Sequence, residues 1–270
     1  MLDKWFKKEK PMFTMLGMGG GNAAIVALGG STPITASGGT ESTPGDGFKY
    51  HVYEYNSPGP FNVTDGAGEV QIMLQGGGGG GTNGVGPSNP VGGPGGGGGA
   101  TGVFTISKLG PGNHTFSVGG PGPGNGGAGG NTTFTPSDSA GTLTANGANG
   151  NTGGPVANSL PGATTTGSHP GSPGLSASPQ PYSPGADGRP AGGIPQPGSN
   201  WWHPYITPGA GGTKSFHTPA APVSYAETGG NYGGGGGGGK GRWPMPNGNS
   251  ANTPGAAGGQ GRAVVRYLVP

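Results

Sequence analysis

The sequence has no cysteine, which removes disulfide frameworks and thiolate metal sites together and leaves the redox compartment open. Charge is scarce as well: only 8% of the 270 residues are Asp, Glu, Lys or Arg. The formal net charge of +2 sits in the first ten residues, where Lys4, Lys7, Lys8 and Lys10 outweigh Asp3 and Glu9. The remainder is neutral, so it has no basic face for a phosphate backbone, and nucleic acid is not an expected partner. Long apolar runs are missing too. The leader "MLDKWFKKEKPMFTMLGMGGGNAAIVALGGS" is broken by Pro11, Gly17 and Gly19–Gly21, which suits neither a spanning helix nor a signal-peptide core.

Catalytic patterns are equally scarce. The run "GGGGGGGKG" at 233–241 imitates a phosphate loop but has Gly241 where Ser or Thr must reach magnesium. "GMGGGN" at 17–22 has Asn22 in place of the closing glycine of a dinucleotide fingerprint. Calcium-binding β-roll repeats need Asp after the glycines, whereas these runs are followed by Thr82, Ala100 and Lys240. His51, His114, His169, His203 and His217 lie in separate segments with no pair at metal-ligand spacing, and read as surface residues of strands and loops. Glu54, Asp65 and Glu69 read as surface carboxylates beside a turn. No catalytic residue, metal or cofactor is expected, and the chain does not read as an enzyme.

What the chain has in abundance is glycine, 71 residues, and proline, 30 residues. That composition ordinarily signals disorder, but disordered chains are usually charged and poor in aromatics, and this one carries 8 Phe, 8 Tyr and 4 Trp. Ordering a glycine costs about 0.5–1 kcal/mol more than ordering an alanine. Ordered glycine runs therefore require a lattice in which the missing side chain is itself the condition for packing. Polyproline II geometry offers one: three residues per turn, about 3.1 Å rise, and N–H and C=O groups pointing outward to neighbouring helices.

Along the chain, residues 1–31 form the basic and apolar leader, and 32–46 read as a linker by composition. The body spans 47–150. "GFKYHVYEY" reads as a strand. "FNVTDGAGEVQIMLQ" reads as a short strand, a turn at Asp65–Gly68, and a strand with Val70, Ile72 and Leu74 on one face. "GVFTISKL" and "NHTFSVGG" flank "GPG" as a hairpin, with His114, Phe116 and Val118 sharing a face. Two strand-plus-glycine units follow, "GGAGGNTTFT" and "TLTANGANG". Residues 151–231 read as a long Pro/Gly-rich insertion, and 232–270 as a glycine run closed by the strand "GRAVVRYLVP", with Ala263, Val265 and Tyr267 on its apolar face. The glycine run Gly76–Gly81 is expected to pack against Gly95–Gly99 and Gly233–Gly239.

The ordered series "EVQIMLQGGGGGG", "ISKLGPGNHTFSVGG", "GGAGGNTTF", "LTANG" and "GRAVVRYLV" resembles the glycine-rich domains of bacteriophage tail-fibre and related virion proteins, including those of marine cyanophages and pelagiphages. The resemblance covers about residues 47–150 and 231–270. It implies a mostly β fold, a short-stranded β-sandwich continuing into a bundle of polyglycine II helices with long irregular loops. It also implies a tail fibre or fibre-tip adhesin, docked to other virion proteins by its N-terminus. Exposed loops would meet a host cell-surface receptor, a polysaccharide or an outer-membrane protein. "KKEKPMFTMLGMGGG" is similar to short N-terminal peptides of such proteins, which makes Trp5, Phe6, Met12, Phe13 and Leu16 docking candidates.

In the insertion, Tyr182, Trp201, Trp202, His203 and Tyr205, with Trp243 downstream, concentrate aromatic surface suited to receptor contact or to covering glycine helices. A homotrimer is expected, as fibres commonly are, although a single-chain bundle is nearly as well supported. The competing class is a secreted cell-surface or matrix glycine-rich protein forming filaments. An ice-binding protein would need regular Thr or Ala spacing, which the sequence does not display.

Overall fold

The computed structural model describes residues 32–84, 92–176, 188–189, 211–212, 226–230, 232–235, 243–244, 250–251 and 254–269. Among these the chain is mostly β, without a helix. In chain order the strands are β1 (Thr32–Ser37), β2 (Thr40–Ser42), β3 (Phe48–Glu54), β4 (Gly59–Gln75), β5 (Thr101–Leu109), β6 (Gly112–Ser117), β7 (Thr132–Thr135), β8 (Leu143–Ala145), β9 (Val156–Asn158), β10 (Ala163–His169), β11 (Trp243–Pro244), β12 (Ser250–Ala251) and β13 (Arg262–Leu268). β11 and β12 form a short ladder of their own, and the others join one open antiparallel sheet.

β4 organises that sheet. Its first half pairs with β1 and β6, and its second half with β13 and β5. The change falls at Asp65–Gly68, the expected turn, which is a bend within one 17-residue strand. Gly66 has φ +80° there, and a Cβ on it would run into the Pro33 carbonyl, so only glycine lets the strand turn under β1. Beyond the bend Val70, Ile72 and Leu74 are buried in the same cluster as Phe61 and Val63 of the first half. The two halves thus face one another across a shared core. Phe104 and Ile106 of β5, Phe116 of β6, Phe134 of β7, Leu143 of β8, and Val265 and Tyr267 of β13 join it. Tyr53 stacks on Phe116 at 4.4 Å, and Phe134 lies 4.8 Å from Phe116. The other face of β3, β5, β13 and the second half of β4 carries a smaller cluster of Tyr50, Val52, Met73, Val103 and Val264.

Three sequence expectations change. β5 and β6, read as a hairpin, do not pair: β5 lies between β4 and β10, while β6 lies between β4 and β7. Gly110 and Pro111 carry the chain across the core from one half of the sheet to the other. Residues 32–42, read as linker, form β1 and β2, because Ile34 and Ala36 supply the inward positions of a short strand whose other positions are polar. The start of the 151–231 insertion belongs to the sheet as β9 and β10, the latter a Thr-rich strand beside β5.

The glycine segments extend the strands. Gln75 pairs with Thr101 across β4 and β5, and one residue on, the Gly76 N–H donates to the Ala100 carbonyl. Ser117 pairs with Thr133 across β6 and β7, and Gly130 donates to Gly120. His169 pairs with Thr101 across β10 and β5, and Gly98 donates to Ser172. The junction is tied by buried side chains: Gln75 Nε2 donates to Thr101 Oγ1 at 2.7 Å, and Thr132 Oγ1 donates to the Gln75 carbonyl at 2.6 Å.

Past the junction the bonding rule alters. Gly76, Gly79 and Thr82 donate to Ala100, Gly97 and Pro94; Gly77 and Gly80 donate to Gly130 and Gly127; Gly78 and Gly81 donate to Gly259 and Ala256. All seven bonds are 2.8–2.9 Å. Donors repeat every third residue, and each partner number falls by three, so each neighbouring segment runs antiparallel. Between these bonds the Cα atoms face other segments. A Cβ on Gly76 or Gly79 would lie under 3.0 Å from the carbonyl of Asn146 or Gly150. One on Gly77 or Gly80 would meet the carbonyl of Gly120 or Pro123, and one on Gly78 that of Gly234. The run is therefore enclosed by six segments and fully buried without a side chain. The expected neighbours 95–99 and 233–235 are among them, and residues 236–239 lie outside the described residues.

Replacing Gly79 by alanine should cost several kcal/mol, because its Cβ has only fixed backbone to displace. Gly59→Ala, at a position with nothing within 4 Å, should stay within about 0.5 kcal/mol of the parent. Chemical denaturation of both variants checks this; equal midpoints would reduce the run to a tether.

Candidate binding surfaces

The register gives the molecule two distinct ends. β4 leaves the glycine end at Gly59, bends at Gly66 and returns to it at Gln75. Thr32, which follows the leader in sequence, pairs with Ala67 beside the bend. The glycine segments extend from the opposite end, continuing β4, β6, β8 and β10 and preceding β5, β7, β9 and β13. Gly188 and Arg189, from the insertion, are bonded into that end: Arg189 donates to the Gly96 carbonyl at 3.0 Å and accepts from Gly235 at 2.7 Å. Gly188 donates to the Gly212 carbonyl at 2.9 Å, which clamps the two ends of the stretch 189–211 together.

The outward face of β6, β7 and β8 is a second feature. Alternation sends His114, Phe116, Thr132, Phe134, Leu143 and Ala145 inward, and leaves a hydroxyl residue at each intervening position. Register then aligns them. Ser117, Thr133 and Thr144 form one row across the three strands. Thr115 and Thr135 form the next, extended by Thr142, whose Oγ1 lies 3.3 Å from Thr135 Oγ1. On the adjoining strands Pro60 pairs with Thr115, Asn62 with Asn113, and Ser37 with Asn62. None of these outward residues is charged. Strands lie about 4.8 Å apart, so the face is a regular hydroxyl and amide array. The sequence shows it only as T-x-[ST] triplets at uneven intervals, and the absence of regular Thr spacing inferred from it does not hold for this face.

A cleft of about 510 Å³ opens at the edge of the array. β1 ends opposite Asn62, and β2 begins opposite Val52. Gly38 (φ +120°) and Gly39 (φ +61°) carry the chain between them. Short of that crossing, the end of β3 and the start of β4 are left uncovered down to the turn at Tyr55–Pro58. Ser37, Thr40, Glu54, Ser57, Asn62 and Asn113 line the opening. The Glu54 carboxylate accepts from Arg262 Nη2 at 2.7 Å, and Lys49 is paired with Glu41 at 2.7 Å.

Two of the five histidines are not the surface residues expected: His51 and His114 are completely buried. His51 Nδ1–H donates to the Gly38 carbonyl at 2.7 Å, and its Nε2, 3.2 Å from the Tyr267 hydroxyl, accepts. His114 Nδ1 accepts from the Ser137 N–H at 3.2 Å, so its Nε2–H donates to the Gly110 carbonyl at 3.0 Å and fixes the corner between β5 and β6. Burial pushes both imidazoles below their ordinary pKa, an effect partly offset by the carbonyl bonds. Both are neutral structural groups. The sequence contained the signal for His114, which alternates with Phe116 and Val118 on the apolar face.

The aromatic candidates Tyr182, Trp201, Trp202, His203 and Tyr205, and the leader candidates Trp5, Phe6, Met12, Phe13 and Leu16, lie outside the described residues. Trp243 pairs through its backbone with Ala251 in the β11–β12 ladder. The candidate surface that the sequence does not display is the array with its cleft. No family model matches the chain, and the search of curated proteins found no match.

Because the folded state holds His51 and His114 neutral while the unfolded chain protonates near 6.5, their contribution to stability is complete above that pH and declines below it. Glu41, held below the usual carboxylate range chiefly by its bond to Lys49, adds a loss only below about 4.5. Thermal melts should be level from pH 8 to 7 and fall progressively from 6.5 to 5. A His51→Gln, His114→Gln variant should have a lower melting temperature but a flatter profile across that interval.

Proposed function

We propose that this is a non-enzymatic virion structural protein, a tail fibre or fibre-tip adhesin. In this reading the sheet, doubled over at β4, acts as a short-stranded β-sandwich that continues into a bundle of polyglycine II helices. The observation that carries it is the donor pattern of Gly76–Thr82, with bonds to three different neighbours in strict rotation. A helix with three residues per turn directs successive N–H groups about 120° apart, which produces that rotation, whereas a strand alternates between two directions. Prolines serve the same packing as acceptors: the carbonyls of Pro94, Pro123 and Pro155 each receive a backbone N–H.

A glycine bundle of this kind is a stiff, neutral, side-chain-free support. That suits a fibre tip, which must hold variable loops away from the particle. The two-ended layout supports the same role: Thr32, next in sequence to the leader, lies beside the bend, and Gly188, Arg189 and Gly212 of the insertion lie at the far end. Trp5, Phe6, Met12, Phe13 and Leu16 of the leader are the proposed docking residues. The insertion's Tyr182, Trp201, Trp202, His203 and Tyr205, with Trp243 downstream, are the proposed receptor contacts. A trimer would bring three such tips together and cover exposed edges such as β10. A secreted matrix protein is the alternative, and a cleaved leader in the mature protein would favour it.

Gold-labelled antibody against the leader should decorate the particle-proximal end of a virion fibre in electron micrographs; protein found only in a cell-surface matrix would overturn the reading. Amide hydrogen exchange tests the bundle itself. Gly76–Gly81 should be protected as strongly as Val70–Leu74, and exchange at solvent rates would reject it.

A further inference from the structure

We infer that the cleft beside Asn62 and Asn113, together with the adjoining threonine rows, is a binding site for a neutral saccharide. The inference rests on the attachment reading for its biological setting only, since the site itself is tested on the isolated protein.

Three observations select the ligand class. The first is size: about 510 Å³ lies within the range of small-molecule sites and accommodates one or two sugar rings. The second is unspent hydrogen-bonding capacity. The side chains of Ser37, Ser57, Asn62 and Asn113 converge on the cleft from β1, the β3–β4 turn, β4 and β6, and none bonds to another described residue. Two amides and two hydroxyls supply both donors and acceptors, which is what vicinal hydroxyls of a sugar require and a carboxylate or phosphate does not.

The third is charge. Glu54 is engaged by Arg262 and Lys49 by Glu41, and the rows leading away from the cleft carry no charge. An anionic ligand would find no free cation at this face among the described residues, and a cationic one would have to compete with Arg262. A neutral polyol loses nothing by binding here. The rows extend the site for a polymer: Thr115 and Thr135, then Ser117, Thr133 and Thr144, repeat the same hydroxyl contact from strand to strand.

The test is to apply the full chain to an array of immobilised neutral and acidic oligosaccharides and to follow neutral binders by titration calorimetry. The expected result is binding confined to neutral saccharides. It should weaken about tenfold or more in Asn62→Ala, Asn113→Ala, through the loss of two amides, with the melting temperature unchanged. Should that variant fail to fold, Ser57→Trp, on an exposed turn, fills the cleft and should abolish binding. Thr133→Val, Thr135→Val should weaken long oligosaccharides and spare disaccharides. Absence of any neutral binder, preference for acidic saccharides, adsorption to ice in place of sugar, or full binding by the Ser57→Trp protein would each overturn the site. None of these outcomes bears on whether the chain resides in a virion, which the antibody labelling decides separately.

Discussion

The constraint on which the structure depends is backbone meeting backbone without an intervening Cβ. In the sheet, a strand bonds to two neighbours in its own plane, and layers are held about 10 Å apart by side chains. When β4 passes Gln75 those side chains end, and the chain reaches across the former gap. Gly77 then bonds to Gly130, which leads into β7 on the opposite side of the core. The same chains that were separated by Phe61, Phe116 and Phe134 are thereby joined by hydrogen bonds between their main chains. Apolar core and glycine packing are consecutive solutions to one problem, satisfying buried backbone groups away from water. The polar junction of Gln75, Thr101 and Thr132 is where one passes into the other.

That continuity explains which parts of the fold could be read from the chain. Side-chain alternation is a local property, so the inward faces of β4, β6 and β13 were legible from Val70, Ile72, Leu74, Phe116, Val265 and Tyr267. Strand pairing is a non-local property, and "GPG" between two strands gives no indication whether they turn back on each other or cross a core. β1 was hidden because a polar edge strand with two inward apolar residues has the composition of a linker. The glycine run was legible as a packing element from its cost, since an unordered chain of so little charge would gain nothing from it. Its additional neighbours, such as 127–130, 146–150 and 256–259, have few consecutive glycines and became visible only through their bonds.

The same distinction applies to the surfaces. His114 stood on an apolar face in the sequence, yet a histidine's polarity argued for solvent; Gly110 and Ser137, close in space, resolve the conflict by satisfying both ring nitrogens. The threonine triplets begin at positions 115, 133 and 142, an interval pattern without a period, and antiparallel register alone turns them into rows. Conversely, the aromatic cluster of the insertion was conspicuous in the sequence because five rings, Tyr182, Trp201, Trp202, His203 and Tyr205, stand out among small residues.

Glycine packing also sets how the flanks of the insertion are held. The stretch 189–211 is bounded by Gly188 and Gly212, and these bond to one another while Arg189 and Gly212 bond onward to Gly96 and Gly235. Every one of those bonds is between main chains. What the flank requires is the same absence of a side chain: a Cβ on Gly211 would lie under 3.0 Å from the Gly188 carbonyl, so the chain passes this point only as glycine. A scaffold built on side-chain packing instead ends its loops in residues that belong to the core. The glycines that make the fold costly to order are thus also the ones that tie these flanks to it.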